Sequence, residues 1–299
     1  MTTFDKWMLA IRPKTLPAAA SPVFIGAAIA YSSGQFHLGA ALAAVFGALM
    51  IQIGTNLVND VVDFYRGADT EARLGPTRVT HTGLLSPRRV WLGVMVSFGL
   101  AALAGVYLTV LAGWPVVAIG LTSILAGVAY TAGPMPLAYN GLGDLFVMIF
   151  FGFAAVCGTA YVTARELPPS AWWASAAAGA LTVNILVVNN IRDIETDRQA
   201  KRKNIPVVFG RKAAEWEFGL MLALACAAPV MLAVGKLTSP WVLLALLSAP
   251  KGLKLLNILR GGLQGPPLNP ILGETAQMLL LYSLLFSIGI VLPVWLKVF

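Results

Sequence analysis

Nine long apolar runs divide this sequence, near residues 15–32, 38–65, 89–112, 115–131, 141–164, 171–195, 212–235, 239–258 and 273–297. A run of that length in lipid must satisfy every backbone amide internally, which leaves helices or a closed barrel. The runs are rich in Ala, Leu, Gly and Val and lack the strict alternation of barrel strands, so helices remain. With 58% hydrophobic and 11% charged residues the chain is also too apolar for an ordinary water-soluble domain. The expectation is an all-α polytopic membrane protein, a bundle of nine transmembrane helices. No linker or compositional break divides it, so residues 1–299 are read as one integral-membrane domain.

The basic residues test the count. With the N-terminus in the cytosol, nine crossings leave only Arg165, Lys236 and Lys297 of the 21 Lys and Arg on the outer side. That is a strong positive-inside bias, and it puts the C-terminus outside a bacterial cytoplasmic membrane. The first run, preceded by Lys6, Arg12 and Lys14, resembles a signal peptide, but its length and its many equally apolar successors favour a retained span. The net charge of +8 sits in short loops rather than on one soluble face, which argues against nucleic acid as a partner. Cys157 and Cys226 lie inside apolar runs, and His37 and His81 have no His/Cys ligand spacing, so neither redox nor zinc chemistry is indicated.

Two stretches break the apolar pattern. Gln52, Asn56, Asp60 and Asp63 fall at i, i+4, i+8 and i+11 on one helical stripe, and Asn189, Asp193 and Asp197 repeat the spacing. Crowded carboxylates repel unless a cation joins them, and carboxylate with amide oxygen is the hard donor set that Mg²⁺ accepts. Each stretch therefore has the make-up of half a magnesium site. From residue 38 to Asp60 is about 33 Å at 1.5 Å per residue, and from Trp172 to Asp193 nearly the same, so both stretches lie at the cytosolic mouths of their helices. A basic loop follows each, 66–88 and 196–211, which gives the chain the look of a weak internal duplication.

Two acidic mouths facing each other across a cavity can hold Mg²⁺, and Mg²⁺ with loop Arg and Lys can hold a diphosphate. An apolar tail would then lie between the helices. A polyprenyl diphosphate fits that description. Loss of diphosphate from its allylic carbon leaves a cation that an electron-rich acceptor captures if water is excluded.

The motifs RPKTL at 12–16, NLVNDVVDFYRGADT at 56–70, LGPTR at 74–78, YTAGP at 130–134, PLAY and GLGD at 136–139 and 141–144, and NNIRDIETDR at 189–198 resemble the UbiA superfamily of intramembrane aromatic prenyltransferases. They are most similar to its branch acting on 1,4-dihydroxy-2-naphthoate in menaquinone synthesis. The resemblance implies a central cavity opening near the cytosolic side. It implies metal ligation by Asn56, Asn59, Asp60, Asp63, Asp69, Asn189, Asp193 and Asp197. Diphosphate would be met by Arg66, Arg73, Arg78, Arg198, Lys201 and Arg202, and the acceptor by Asn190, Tyr130 and Tyr139. Asp60, Asp63, Asp193, Asp197 and Tyr139 would be the catalytic set, with Mg²⁺ as cofactor and membrane lipid as surroundings. Lys201-Arg202 stands where this branch usually has Gly-Lys, and Val208 where a basic residue is common.

Outside those motifs the signals are weaker. Arg88 and Arg89 directly precede a helix and read as topology determinants. Asp144 flanks a Gly turn, and Glu274 and Gln277 read as a start signal for the last helix. Other acceptors, 4-hydroxybenzoate, homogentisate or haem, suit the same metal chemistry. A divalent-cation transporter would instead want carboxylates near the midplane between broken helices.

Overall fold

The computed structural model describes residues 1–67 and 74–296. The described chain is helical, with no strand. In order it forms α1 (Thr3–Ile11), α2 (Leu16–Ser32), α3 (Leu38–Tyr65), α4 (Pro87–Ala112), α5 (Pro115–Ala129), α6 (Gly143–Ala164), α7 (Ser170–Arg192), α8 (Ile194–Gln199), α9 (Ile205–Phe209), α10 (Arg211–Val234), α11 (Pro240–Arg260) and α12 (Leu268–Leu296). Among the described residues eight helical stretches are long and apolar enough to cross a bilayer, α1 and α2 together making the first. The ninth expected span is α5. Its 15 residues reach about 22 Å, short of a hydrocarbon core of about 30 Å, so length does not confirm the count of nine. The fold is that of a multi-pass membrane protein, with Leu42, Met95, Val110, Leu121, Leu220 and Leu247 among the side chains left on its outer surface.

Helix ends follow local chemistry. Thr2 and Asp5 form a reciprocal cap on α1, and Arg12 turns the chain into α2 in the left-handed region at φ 57°. Pro13, Pro17, Pro87 and Pro115 stand at or just inside helix starts, where a missing N–H is harmless. The last helix begins at Leu268 rather than near 273, so Glu274 and Gln277 lie inside it, and the Gln277 amide oxygen accepts from Lys251 Nζ at 3.2 Å.

Helix α7 is the buried centre, with Ala171, Ala174, Ala177, Ala178 and Ala180 fully enclosed. In lipid, helices gain by close backbone approach rather than by leaving water, and small residues permit it. A Cβ on Gly152 would lie 2.6 Å from the Ser175 carbonyl oxygen, so α6 crosses α7 at that glycine. Gly26 of α2 meets the Val156 carbonyl of α6 the same way, at 2.5 Å.

A π-helical segment, Met148–Ala154, lies within α6. Its physical reason is readable along the helix. The residues of α6 that line the central cavity come in pairs repeating every four positions: Phe146 and Val147, Phe150 and Phe151, Ala154 and Ala155, Gly158 and Thr159. At 3.6 residues per turn such a stripe drifts about 40° per repeat. The wider π turn takes back part of that drift and keeps the stripe on the cavity.

Candidate active site

The cavity has a volume of about 340 Å³ and lies among α2, α3, α4, α5 and α6. Helix α3 supplies one continuous wall, Ala44, Gly47, Ala48, Ile51, Gln52, Thr55, Asn56 and Asn59, spaced as one helical face. Small and apolar at one end, that wall becomes amide-bearing at the other. Tyr130 joins the polar end.

The first acidic stretch closes this end. Asn56 spends both amide hydrogens on the N-terminal segment, at 2.9 Å to the Ile11 carbonyl and 3.0 Å to Thr15 Oγ1. What it offers a ligand is therefore its oxygen. Asn59 differs, because its oxygen already accepts from Thr131 Oγ1 at 2.6 Å. Asp60 is fully buried and receives the backbone N–H groups of Val79 and Thr80 at 3.0 Å on its two oxygens, so it anchors the loop returning to α4. Asp63, also buried, pairs with Arg78 through Oδ2, while its Oδ1 is enclosed with no hydrogen-bond partner. Asp69 and Arg73 lie outside the described residues.

The second stretch departs from a continuous helix. Helix α7 ends at Arg192, Asp193 is its cap at φ −98° and ψ 11°, and α8 restarts at Ile194. Backbone bonds from Asp193 N to Asn189 O at 3.1 Å and from Asp197 N to Asp193 O at 2.7 Å carry the register across the break, so the i, i+4, i+8 relation survives. Arg192, buried, grips the stretch from within: Nε and Nη2 donate to the two Asp193 oxygens at 2.8 and 2.6 Å, and Nη2 also reaches Asn189 Oδ1 at 2.7 Å. Asp197 accepts from Asn204 Nδ2 at 2.6 Å and pairs with Arg202 at 3.2 Å. Burial pushes the Asp197 carboxyl above its ordinary pKa, against the pull of Arg202, and Asp193 adds to the push.

Arg202 links the two halves. Burial opposes its charge, but Asp197, then Tyr139 and Asp63, outweigh that and hold the guanidinium's pKa above its usual value. Carboxylates from both stretches thus act on one cation. The guanidinium stacks 4.5 Å over the Tyr139 ring and donates to its hydroxyl at 3.2 Å. The Lys203 N–H donates to the Tyr139 carbonyl at 3.0 Å, and a Cβ on Gly141 would lie 2.8 Å from the Lys203 carbonyl oxygen, which ties the two loops together.

The expected anion-binding residues divide. Arg78 and Arg202 are in the site. Arg66 donates to the Thr131 and Gly133 carbonyls, with Nη2 to Gly133 at 2.6 Å, and so seats the loop carrying Tyr139. Arg198 points outward and pairs with exposed Glu195 at 2.8 Å, and Lys201 is exposed with φ 54°. Asn190 is buried in the last turn of α7. Arg192, Asn204 and Asn269 are site residues that the motifs do not single out. Arg192 carries a signal, being an arginine three residues past Asn189 at the end of a long apolar run; Asn204, before a short helix, and Asn269, in the first turn of the long last helix, carry none.

The donors suit Mg²⁺. All are hard oxygens, and the enclosed Asp63 Oδ1 is an acceptor awaiting a donor or cation. Among the described residues no three His, Cys, Asp or Glu side chains converge as a ready-made cage. Mg²⁺ commonly takes only one or two carboxylates from protein and completes its shell with water and phosphate oxygens.

Comparison with known proteins gives likenesses in family, sequence and fold. Residues 19–260 match the model of the UbiA prenyltransferase family. The chain is 36% identical to a 1,4-dihydroxy-2-naphthoate octaprenyltransferase of Mycobacterium tuberculosis over 95% of its own length and 96% of that protein's. It is 32% identical to the enzyme of the same description from Escherichia coli over 97% and 96%. Its fold matches a UbiA homolog from Archaeoglobus fulgidus, solved with DMAPP and Mg²⁺, at a TM-score of 0.66 and 17% identity, covering 95% of this chain and 99% of that one.

Proposed function

The chain belongs to the UbiA prenyltransferase family, and from that premise we propose that it transfers a polyprenyl group from polyprenyl diphosphate to 1,4-dihydroxy-2-naphthoate, with Mg²⁺ as cofactor and loss of diphosphate and carbon dioxide, giving demethylmenaquinone. The observation that carries this reading is the join between an apolar cavity and a mouth where the first acidic stretch pairs with buried Arg78 and the second with half-buried Arg202. The diphosphate would lie at that mouth and the tail along the α3 wall. The full-length relatives named for this acceptor support the choice of naphthoate, and the Archaeoglobus neighbour, solved with an allylic diphosphate and Mg²⁺, supports the metal.

In this reading Asn56, Asp63, Asp193 and Asp197 would hold Mg²⁺, which when bound offsets the charge that collects on the departing diphosphate. Arg78 and Arg202 bind and orient the diphosphate. Heterolysis of the allylic C–O bond leaves the electron pair on the diphosphate and an allylic cation in the cavity, where the apolar walls of α3 and α6 exclude water. The acceptor ring carbon bearing the carboxylate donates its π electrons to that cation, forming the new C–C bond. The bond to the carboxylate then breaks as carbon dioxide leaves, and its electrons restore the aromatic ring. Tyr139, packed under Arg202, and Tyr130, at the cavity's polar end, are the proposed aromatic contacts of the acceptor, together with Asn190.

The test is turnover by purified protein in detergent with geranylgeranyl diphosphate, offering 1,4-dihydroxy-2-naphthoate and 4-hydroxybenzoate in parallel, with Mg²⁺ and with EDTA. Product from the naphthoate alone, abolished by EDTA and restored by Mg²⁺, is the expected outcome. Product from the benzoate alone would overturn the acceptor, and EDTA-insensitive product would overturn the metal.

The placement follows from the same reading. With α5 taken as a crossing, the N-terminus is cytosolic and the C-terminus external in a bacterial cytoplasmic membrane, which keeps both acidic mouths on the side where soluble diphosphates are made. A C-terminal alkaline phosphatase fusion is expected to be active, and an inactive fusion with an active green fluorescent counterpart would reverse this end.

A further inference from the structure

The last third of the chain, which has no recognised motif, sends a polar side chain to the site. Asn269 lies in the first turn of α12, and its Oδ1 accepts from Arg192 Nη1 at 2.9 Å. Its Nδ2 donates to the Leu74 carbonyl at 3.1 Å. Arginine has only donors and a carbonyl has only lone pairs, so the orientation of this amide follows from its two partners. The asparagine amide suits both, whereas aspartate lacks the donor and leucine lacks both groups.

What stands on each side gives the contact its meaning. Arg192 holds Asp193 and Asn189, the second acidic stretch. Leu74 opens the segment whose Arg78 pairs with Asp63 and whose Val79 and Thr80 amides bind Asp60, the first acidic stretch. The turn before α12 adds a second touch, since a Cβ on Gly265 would lie 4.0 Å from Leu74 Cδ1.

We infer that Asn269 is a positioning residue that fixes the spacing of the two acidic stretches by tying Arg192 to the Leu74–Thr80 segment. This rests on the metal and diphosphate reading above. It assigns α12 a part in the reaction although α12 supplies no ligand. Residues that orient ligands without touching the metal change affinity by roughly 10–100-fold when lost, and the lower end is expected here because Arg192 keeps three other bonds.

The experiment compares full-length wild type, Asn269→Ala, Asn269→Asp and Asp193→Ala. Binding of inorganic pyrophosphate in the presence of Mg²⁺ is measured by titration calorimetry, and hydrogen exchange of the 74–80 segment is measured in metal-free protein. Asn269→Ala is expected to weaken Mg²⁺-dependent pyrophosphate binding roughly tenfold and to speed exchange of the Val79 and Thr80 amides without metal, with the melting temperature nearly unchanged. Asn269→Asp keeps the acceptor for Arg192 and loses the donor, so it is expected to keep the α7 terminus protected while freeing the 74–80 segment. Wild-type exchange and pyrophosphate binding in Asn269→Ala, alongside a binding defect in Asp193→Ala, would overturn the tether alone. Wild-type binding in Asp193→Ala would overturn the underlying metal reading instead. A general loss of melting temperature with exchange raised throughout α12 would reduce Asn269 to a folding role and also overturn the inference.

Discussion

Replacing Asp193 by Ala is expected to lower turnover by more than the roughly 100-fold that the outer partners of a metal site command. Two losses coincide. A carboxylate leaves the second half of the site, and Arg192, enclosed beneath it, loses the partner for two of its donors. Leaving a buried charge short of its partner costs up to roughly 3–5 kcal/mol, so the Ala variant alone would confound chemistry with stability. Asp193→Asn separates them. It removes the charge but keeps the side chain's shape and one oxygen for the guanidinium, so its melting temperature should fall less than that of the Ala variant while turnover falls with it. Turnover near wild type in a folded Asp193→Asn protein would remove Asp193 from the metal set.

The second large effect is expected at Gly47, and it should depend on the length of the donor's tail. A Cβ there meets only the Ala104 methyl, at 3.7 Å, so the position opens onto the cavity. Gly47 stands twelve residues from Asn59 on the same helical face, about 18 Å along the axis at 1.5 Å per residue. A short dimethylallyl tail anchored at the polar mouth ends before it, whereas a long polyprenyl tail must pass. Phe at 47 should displace on the order of 100 Å² of tail contact, which at about 25 cal/mol per Å² is about 2.5 kcal/mol. That corresponds to a drop approaching 100-fold in kcat/KM for geranylgeranyl diphosphate. With dimethylallyl diphosphate the variant should stay within about twofold of wild type. Equal loss with both donors would point to a collapsed bundle, and no loss with either would mean that the tail runs elsewhere.

The parts of this molecule legible in the sequence are those with a local cause. Apolar runs demand helices in lipid, and the four-residue spacing of Asn189, Asp193 and Asp197 puts them on one face whatever lies around them. Even the break at Asp193 preserves that relation, because the backbone bonds bridge it. Arg66 shows where the legibility stops. A loop arginine beside an acidic stretch reads as an anion contact, but its guanidinium is taken by two carbonyls more than sixty residues away. Asn269 is the opposite case, with no signal in its own surroundings and partners separated from it by 77 and 195 positions. Helix α5 leaves the count of nine unconfirmed on a different ground, since hydropathy reads apolar character well but does not see that Tyr130 caps the helix after fifteen residues.

The π segment of α6 carries a consequence for how such an enzyme can change over time. A π turn holds one more residue than the α turn it replaces. The outline of the chamber beside Met148–Ala154 therefore depends on a backbone count as much as on which side chains face inward. Deleting a single codon in that stretch would let the π turn revert to an α turn, redrawing the wall between Met148 and Ala154 while Gly158 onward keeps its facing. For a chamber that must match a tail, insertion and deletion are then a coarse adjustment, and point substitution at positions such as Gly47 a fine one.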